Sequence, residues 1–116
     1  MGDQDREVQK IPDEFIMAYV GERAFDTPGV YGMGVSLTAS ALTKNWLGQD
    51  KKTRGVKVSY DEDQGYIIDL FLLVAFGVNI PETAWNVQKN VNDGLKTDLN
   101  LTAGEINIHI QGVKAE

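Results

Sequence analysis

Hydrophobic and polar positions follow their clearest pattern over residues 55–77. Over 56–60 apolar and polar residues alternate, which predicts a strand with one exposed face. A polar turn at 61–65 ends in glycine and suits a hairpin. The chain returns over 66–76 with an apolar residue at every position except Asp69. A strand that is apolar on both sides either has both faces covered or leaves one face for a partner.

Helical spacing marks the regions on either side of this hairpin. Apolar residues recur at three- and four-residue steps after Pro12, which predicts a helix that ends near Asp26. A second helix is predicted to begin at Asn79, a good N-cap residue, with Pro81 in its first turn. Residues 35–47 carry a weaker apolar pattern that fits either a helix or a strand.

The remaining segments contain glycines or a simple alternation. The stretch 29–34 holds three glycines and is predicted to be irregular. Ala103 and Gly104 are predicted to interrupt the chain after the second helix. Isoleucines then alternate with polar residues over 106–111, which predicts a last strand that ends at Gly112.

The order of these elements predicts an α+β fold. We expect a small mixed sheet of three or four strands, with the hairpin at 55–77, packed against two or three helices. Residues 1–11 are predicted to be a flexible N-terminal tail and residues 12–116 a single domain, since 116 residues suit one domain.

Composition narrows the functional classes. The chain has no cysteine, which excludes disulfides and thiolate metal sites. It has no apolar run of the roughly 20 residues that would span a bilayer, and its charged first residues do not resemble a signal peptide. We therefore expect a cytoplasmic protein without membrane insertion. The net charge of −6 argues against a general nucleic-acid-binding role.

Basic residues nevertheless concentrate in the middle of the chain, where only Asp50 opposes them. Such a cluster is either a solvated surface or a docking patch for an acidic partner or for lipid headgroups. We retain it as the candidate partner-binding set: Lys44, Lys51, Lys52, Arg54 and Lys57.

No catalytic, cofactor or metal site is predicted. His109 is the only histidine, and it alternates with isoleucines, so it is expected on the outer side of its strand. No nucleophile, acid partner or set of metal ligands is identifiable beside it. The acidic turn that begins at Asp61 fails as a calcium loop, because Leu72 stands where the closing glutamate belongs. Asp69 within the apolar strand needs a hydrogen-bonding partner if it is buried.

Two alternatives from other functional classes stay open. The Gly29–Gly32 pair between two possible helices fits the position at which K-homology domains bind a nucleic-acid backbone, with the basic segment 44–57 beside it. A metal-dependent hydrolase would instead use Asp61, Asp63 and Asp69.

Several short motifs in sequence order resemble a known family. They include Pro28-Gly29-Val30, the strand Ile67-Ile68-Asp69-Leu70, the helix start Gly77-Val78-Asn79-Ile80-Pro81-Glu82 and the closing strand Ile106-Asn107-Ile108-His109-Ile110. Over residues 13–113 the chain resembles the alkaline shock protein family of mainly Gram-positive bacteria. The resemblance implies a non-enzymatic envelope stress protein that self-associates to a homo-oligomer and binds a protein partner, in some members a membrane-anchored one. It carries over no catalytic residue and no cofactor.

Overall fold

The computed structural model describes residues 11–34 and 55–115. Residues 1–10 of the predicted tail, the segment 35–47 and the four basic residues at 44–54 lie outside the described ranges. Within these ranges the chain forms the predicted α+β arrangement. Its elements are α1 (Asp13–Phe25), β1 (Val30–Met33), β2 (Val56–Asp61), β3 (Gly65–Val74), α2 (Ile80–Asp98) and β4 (Ala103–Val113).

The four strands form one mixed sheet around β3. β2 pairs antiparallel with β3, from Val56 opposite Leu70 to Asp61 opposite Gly65, which confirms the hairpin. β1 continues along the same side and pairs antiparallel with the last residues of β3. β4 lies along the other side of β3 and runs parallel to it. The order across the sheet is therefore β4, β3, and then β2 and β1 end to end.

The core lies on one face of this sheet. Alternate residues of β3 are completely buried there, and both helices pack over them, α1 against β1 and β2 and α2 against β4. Ten of the buried residues form one apolar cluster: Ile16, Val20, Ala24, Val56, Ile68, Leu70, Leu72, Val87, Val91 and Leu95. The three- and four-residue spacing of the helical members is what places them on a single stripe.

The helix boundaries follow the sequence signals. α2 begins after Asn79, whose Oδ1 accepts a hydrogen bond from the backbone N–H of Glu82 at 3.0 Å. α1 ends at Phe25, close to the predicted stop. Gly29 and Gly77 adopt φ values of 96° and 89°, which L-residues rarely tolerate, so both turns depend on glycine.

Two glycine-containing segments are more regular than predicted. The prediction that residues 29–34 are irregular is wrong, because Val30–Met33 forms β1. Pairing with β3 outweighs the poor strand propensity of this segment. The predicted interruption at Ala103 and Gly104 is also wrong, since both belong to β4. A Cβ on Gly104 would lie 1.8 Å from the carbonyl oxygen of Gln64 in the hairpin turn. This glycine permits a close approach of two backbones within the sheet.

A polar seam joins the two helices beside the core. The Arg23 guanidinium donates from Nε and Nη2 to the Asn90 carbonyl at 3.2 and 3.0 Å. The Asn90 amide in turn donates to Thr27 Oγ1 at 2.9 Å. A Cβ on Gly94 would lie 2.6 Å from both Arg23 Nε and the Tyr19 hydroxyl. The small residue at 94 therefore lets these polar side chains cross between the helices.

Candidate functional site: the open face of the sheet

The sheet has a second face, and none of the described helices packs on it. Side chains alternate along each strand, so residues between the buried positions of β3 point to this side, together with their neighbours on β2 and β4. The β3 residues on this side are half-buried. We call this surface the open face, and its residues are Lys57, Ser59, Ile67, Asp69, Phe71, Leu73, Glu105, Asn107 and His109.

Asp69 lies at the centre of a hydrogen-bonded cluster on the open face. Its Oδ1 accepts a hydrogen bond from Asn107 Nδ2 at 3.2 Å and lies 2.9 Å from His109 Nε2. The Asp69 side chain is only 18% exposed, whereas that of His109 is 45% exposed. The expectation that this carboxylate needs partners is confirmed, and both partners come from β4.

His109 also stacks on an aromatic ring. Its imidazole lies parallel to the Phe71 ring, with centroids 4.6 Å apart and an interplanar angle of 13°. The predicted outward position of His109 is confirmed, but the sequence identified no partner for it. Alternation along β4 predicts the face on which His109 lies. It does not predict that a parallel register sets His109 opposite Phe71 and beside Asp69.

Phe71 lies beside the junction of β1 and β2, which follow each other end to end along one side of β3. Its carbonyl accepts a hydrogen bond from the Gly34 N–H at 2.6 Å, and its own N–H donates to the Gly55 carbonyl at 2.8 Å. Gly55 has a φ of 76°, and a Cβ there would lie 2.9 Å from the Phe71 carbonyl oxygen. Gly34 and Gly55 therefore lie beside the same residue of β3.

The structure places one member of the predicted basic set. Lys57 lies on β2 directly opposite Asp69 and is exposed on the open face. Lys44, Lys51, Lys52 and Arg54 fall outside the described residues, so the docking patch stays a prediction. Lys57, Asp69 and Asn107 occupy three neighbouring strands in one row across the face.

The proposed metal-hydrolase set is not assembled. Asp61 and Asp63 belong to the hairpin turn, where the Asp63 N–H donates to Asp61 Oδ1 at 2.7 Å. Asp69 is four residues beyond Gly65 on β3, roughly 13 Å from the turn at the usual strand rise. Among residues 11–34 and 55–115, no three histidine or acidic side chains cluster as metal ligands would.

The positions of Gly29 and Gly32 also do not fit the K-homology interpretation. Gly29 lies in the turn between α1 and β1, and Gly32 lies within β1 itself. The two glycines therefore do not form a loop between two helices, which is the position on which that interpretation depended.

Comparison with known proteins identifies the family. The family model of alkaline shock protein 23, described by a cell envelope-related function, matches residues 2–115. This chain belongs to that family. The uncharacterized protein YqhY of Bacillus subtilis is 34% identical over 105 residues, which are 90% of this chain and 76% of that protein.

Further relatives agree with this assignment to the alkaline shock protein family. The uncharacterized protein YloU of B. subtilis is 31% identical over 104 residues, covering 90% of this chain and 86% of that protein. The uncharacterized protein Spy1614 of Streptococcus pyogenes is 30% identical over 105 residues, with the same coverages of 90% and 86%. No solved structure matches this chain. Within the described part of the chain, no helix combines the length and apolarity needed to cross a membrane.

Proposed function

We propose that this alkaline shock family protein acts at the cell envelope by binding and without catalysis. It self-associates, and it docks a protein partner on the open face. The observation that carries this proposal is the row of half-buried apolar side chains on β3, with no helix of the described part above them: Ile67, Phe71 and Leu73.

The polar residues of the open face suit such an interface. Removing a carboxylate from water is costly when it lacks partners. Asp69 already has hydrogen bonds from Asn107 and His109, so a partner that covers the face does not leave this carboxylate without hydrogen-bond donors. The apolar side chains around it supply stabilisation of about 25 cal/mol per Å² of buried apolar surface.

The charges of the face favour a protein partner over a nucleic acid. Lys57 is the one cation among its described residues, and Asp69 and Glu105 carry the opposite charge. An apolar centre with polar residues of both signs around it is typical of protein interfaces. A membrane-anchored protein as the partner would hold the chain at the inner face of the membrane.

Site-specific photo-cross-linking in the native host tests this function. A photoreactive amino acid at Leu73 is expected to yield an adduct with an envelope protein, identified by mass spectrometry. The same amino acid at Thr97, exposed on α2 and away from the face, is the matched control. An adduct specific to position 73 supports the proposal. Equal adducts at both positions, or none at position 73 under envelope stress, would contradict it.

A further inference from the structure

We propose that two copies of the chain join through β4, antiparallel about a two-fold axis at His109, so that their sheets become one continuous sheet. This inference rests on the self-association that is part of the proposed function, and it names the surface through which the two copies associate. The backbone groups of Ile108 and Ile110 form the contact.

The first observation is the length and position of β4. It covers 11 residues, about twice the usual strand length, and β3 is the only described strand that pairs with it. A long strand at the border of a sheet presents a row of unpaired N–H and C=O groups, which is a template for another strand. We call the outward side of residues 106–110 the free edge.

The second observation is that β4 carries no blocking residue after Glu105. From Ile106 to Val113 there is no lysine, arginine, acid or proline, the residues with which proteins usually block edge strands. The opposite border of the sheet differs. There β2 has only six residues, and it carries Lys57 and Asp61. The β4 border is therefore the one suited to pairing.

The third observation sets the register. Gln88 Nε2 on α2 donates to the Ile106 carbonyl at 2.7 Å, so the backbone groups of Ile106 point away from β3. Alternation directs those of Ile108 and Ile110 the same way. The Ile106 carbonyl is already bonded, and beyond Ile110 the register with β3 shifts. Ile108 and Ile110 are therefore the outward residues best placed to pair.

One antiparallel register uses both of these residues. With the two-fold axis at His109, Ile108 of one copy pairs with Ile110 of the second copy, and the reverse pair forms by symmetry. Each pair exchanges both of its backbone hydrogen bonds, about four bonds in all. An axis at Ile108 would require the Ile106 carbonyl, which already accepts a hydrogen bond from Gln88. An axis at Ile110 would place Ile108 opposite Gly112, which lies beyond the register shift between β4 and β3.

The surroundings of the edge fit a second copy. Trp85 on α2 is 59% exposed. It stands over an open groove of about 470 Å³ beside the edge, whose lining includes Pro81, Ala84, Trp85, Gln88, Ile108 and His109. The Ile110 side chain of the second copy would lie beside Ile108 on the helix side and enter this groove.

Charge favours the antiparallel direction. It brings Glu105 of one copy beside Val113 and Lys114 of the second, whereas a parallel pairing would place like charges together. The exposed Lys114 ammonium lies 5.2 Å from the ring centroid of Tyr31 on β1, across β3 from the edge, and would have to leave that ring to reach Glu105 of the second copy. An exposed ion pair of this kind stabilises by at most about 1 kcal/mol, so it selects direction more than it adds affinity.

A single engineered cysteine tests the register, because the chain has no cysteine of its own. In the proposed dimer the two His109 residues form a non-hydrogen-bonded pair with Cα atoms about 4.5 Å apart, a separation that a disulfide spans. His109→Cys is therefore expected to form a covalent dimer under mild oxidation. Asn107→Cys is the matched control, since its two copies would lie roughly 13 Å apart and cannot be bridged.

The outcomes separate this dimer from other arrangements. A covalent dimer from His109→Cys, several-fold more abundant than from Asn107→Cys, supports the proposal. Equal cross-linking of both variants, or none from either, overturns it.

A second measurement covers the case in which His109→Cys does not fold. In a Trp46→Phe background Trp85 is the only tryptophan, since the chain has two. Its emission is expected to shift to the blue as concentration rises and the groove is filled. Trp85→Glu is expected to lose the dimer in light scattering, whereas Thr97→Glu keeps it. An emission that does not change with concentration contradicts the proposal.

Failure of this inference is distinguishable from failure of the proposed function. Ile67→Lys changes the open face and is expected to lose the partner adduct at position 73 while cysteine cross-linking at position 109 persists. A chain that cross-links to its envelope partner through position 73 but never to itself would refute the β4 dimer alone.

Discussion

The two faces of β3 differ in how deeply their apolar side chains are buried. Leu70 and Leu72 point to the helices and are completely buried. Phe71 and Leu73, between and after them, are equally apolar but only half-buried. Their hydrophobicity is similar, so the difference comes from what packs above each face. Apolar residues on the helix side serve stability, and we propose that those on the open face bind a partner.

The largest expected effect comes from the same substitution made on opposite faces. Leu70→Ala removes a fully buried side chain and leaves a cavity, so we expect the free energy of unfolding to fall by about 2–5 kcal/mol. Leu73→Ala removes a half-buried side chain that solvent can replace, so we expect less than half of that loss. Urea denaturation of the two variants measures both values.

The same two variants can also contradict the distinction between the buried face and the open face of β3. Equal losses for Leu70→Ala and Leu73→Ala would mean that the open face is a second core. An unchanged denaturant slope between the variants and the parent chain is the control that both unfold from a comparable native state.

The next effect concerns the polar cluster of the open face. Asp69→Ala, His109→Ala and the double variant form a cycle that isolates the interaction of these two side chains. We expect a coupling of about 1 kcal/mol, because the hydrogen bond involves a mostly buried carboxylate but an imidazole that is nearly half exposed. Asn107→Ala combined with His109→Ala is the control, since those two side chains share Asp69 without bonding each other. Additive effects in the first cycle would show that the cluster does not hold β3 and β4 together.

The smallest effect lies on the helix side and depends on pH. Burial raises the pKa of Tyr19 above its ordinary 10.0, and the hydrogen bond from its hydroxyl to Asp98 raises that pKa further. The unfolded chain therefore loses this proton first. The resulting stabilisation is complete below the unfolded pKa and is lost as pH rises through the folded value.

Thermal denaturation from about pH 8 to about pH 11 measures this dependence. The melting temperature of the parent chain is expected to fall above roughly pH 10, and that of Tyr19→Phe to fall less steeply. Tyr60→Phe is a useful control, because Tyr60 is exposed on β2. Identical slopes for the parent and Tyr19→Phe would contradict the assignment.

Local sequence signals predicted the elements that depend on local chemistry. The cap at Asn79 and the acidic turn with Gly65 are set by neighbouring backbone groups, so the second helix and the hairpin were predictable. β1 was not, because its four residues become a strand only through hydrogen bonds to β3, some 40 residues later in the chain. Propensity carries little information about such long-range pairing.

The candidate site on the open face was likewise only partly predictable from sequence. Alternation of isoleucines placed His109 on the outer side of β4, and the polar Asp69 was recognised as exceptional within an apolar strand. Their contact was not predictable, since a shift of one residue between parallel β3 and β4 would set Asp69 against another side chain. The basic set illustrates the reverse case, because a charge cluster is visible in sequence but its geometry is known only at Lys57.

The α+β class, the helix starts, the hairpin and the resemblance to the alkaline shock protein family could all be predicted from the amino-acid sequence. Those features follow from residue type and short spacing. The tertiary structure was needed to show that β3 lies at the centre of the sheet, that both described helices cover one face, and that β4 pairs with no described strand other than β3. These properties depend on which distant segments pair, and the free energy of pairing is shared among residues that lie far apart in the chain.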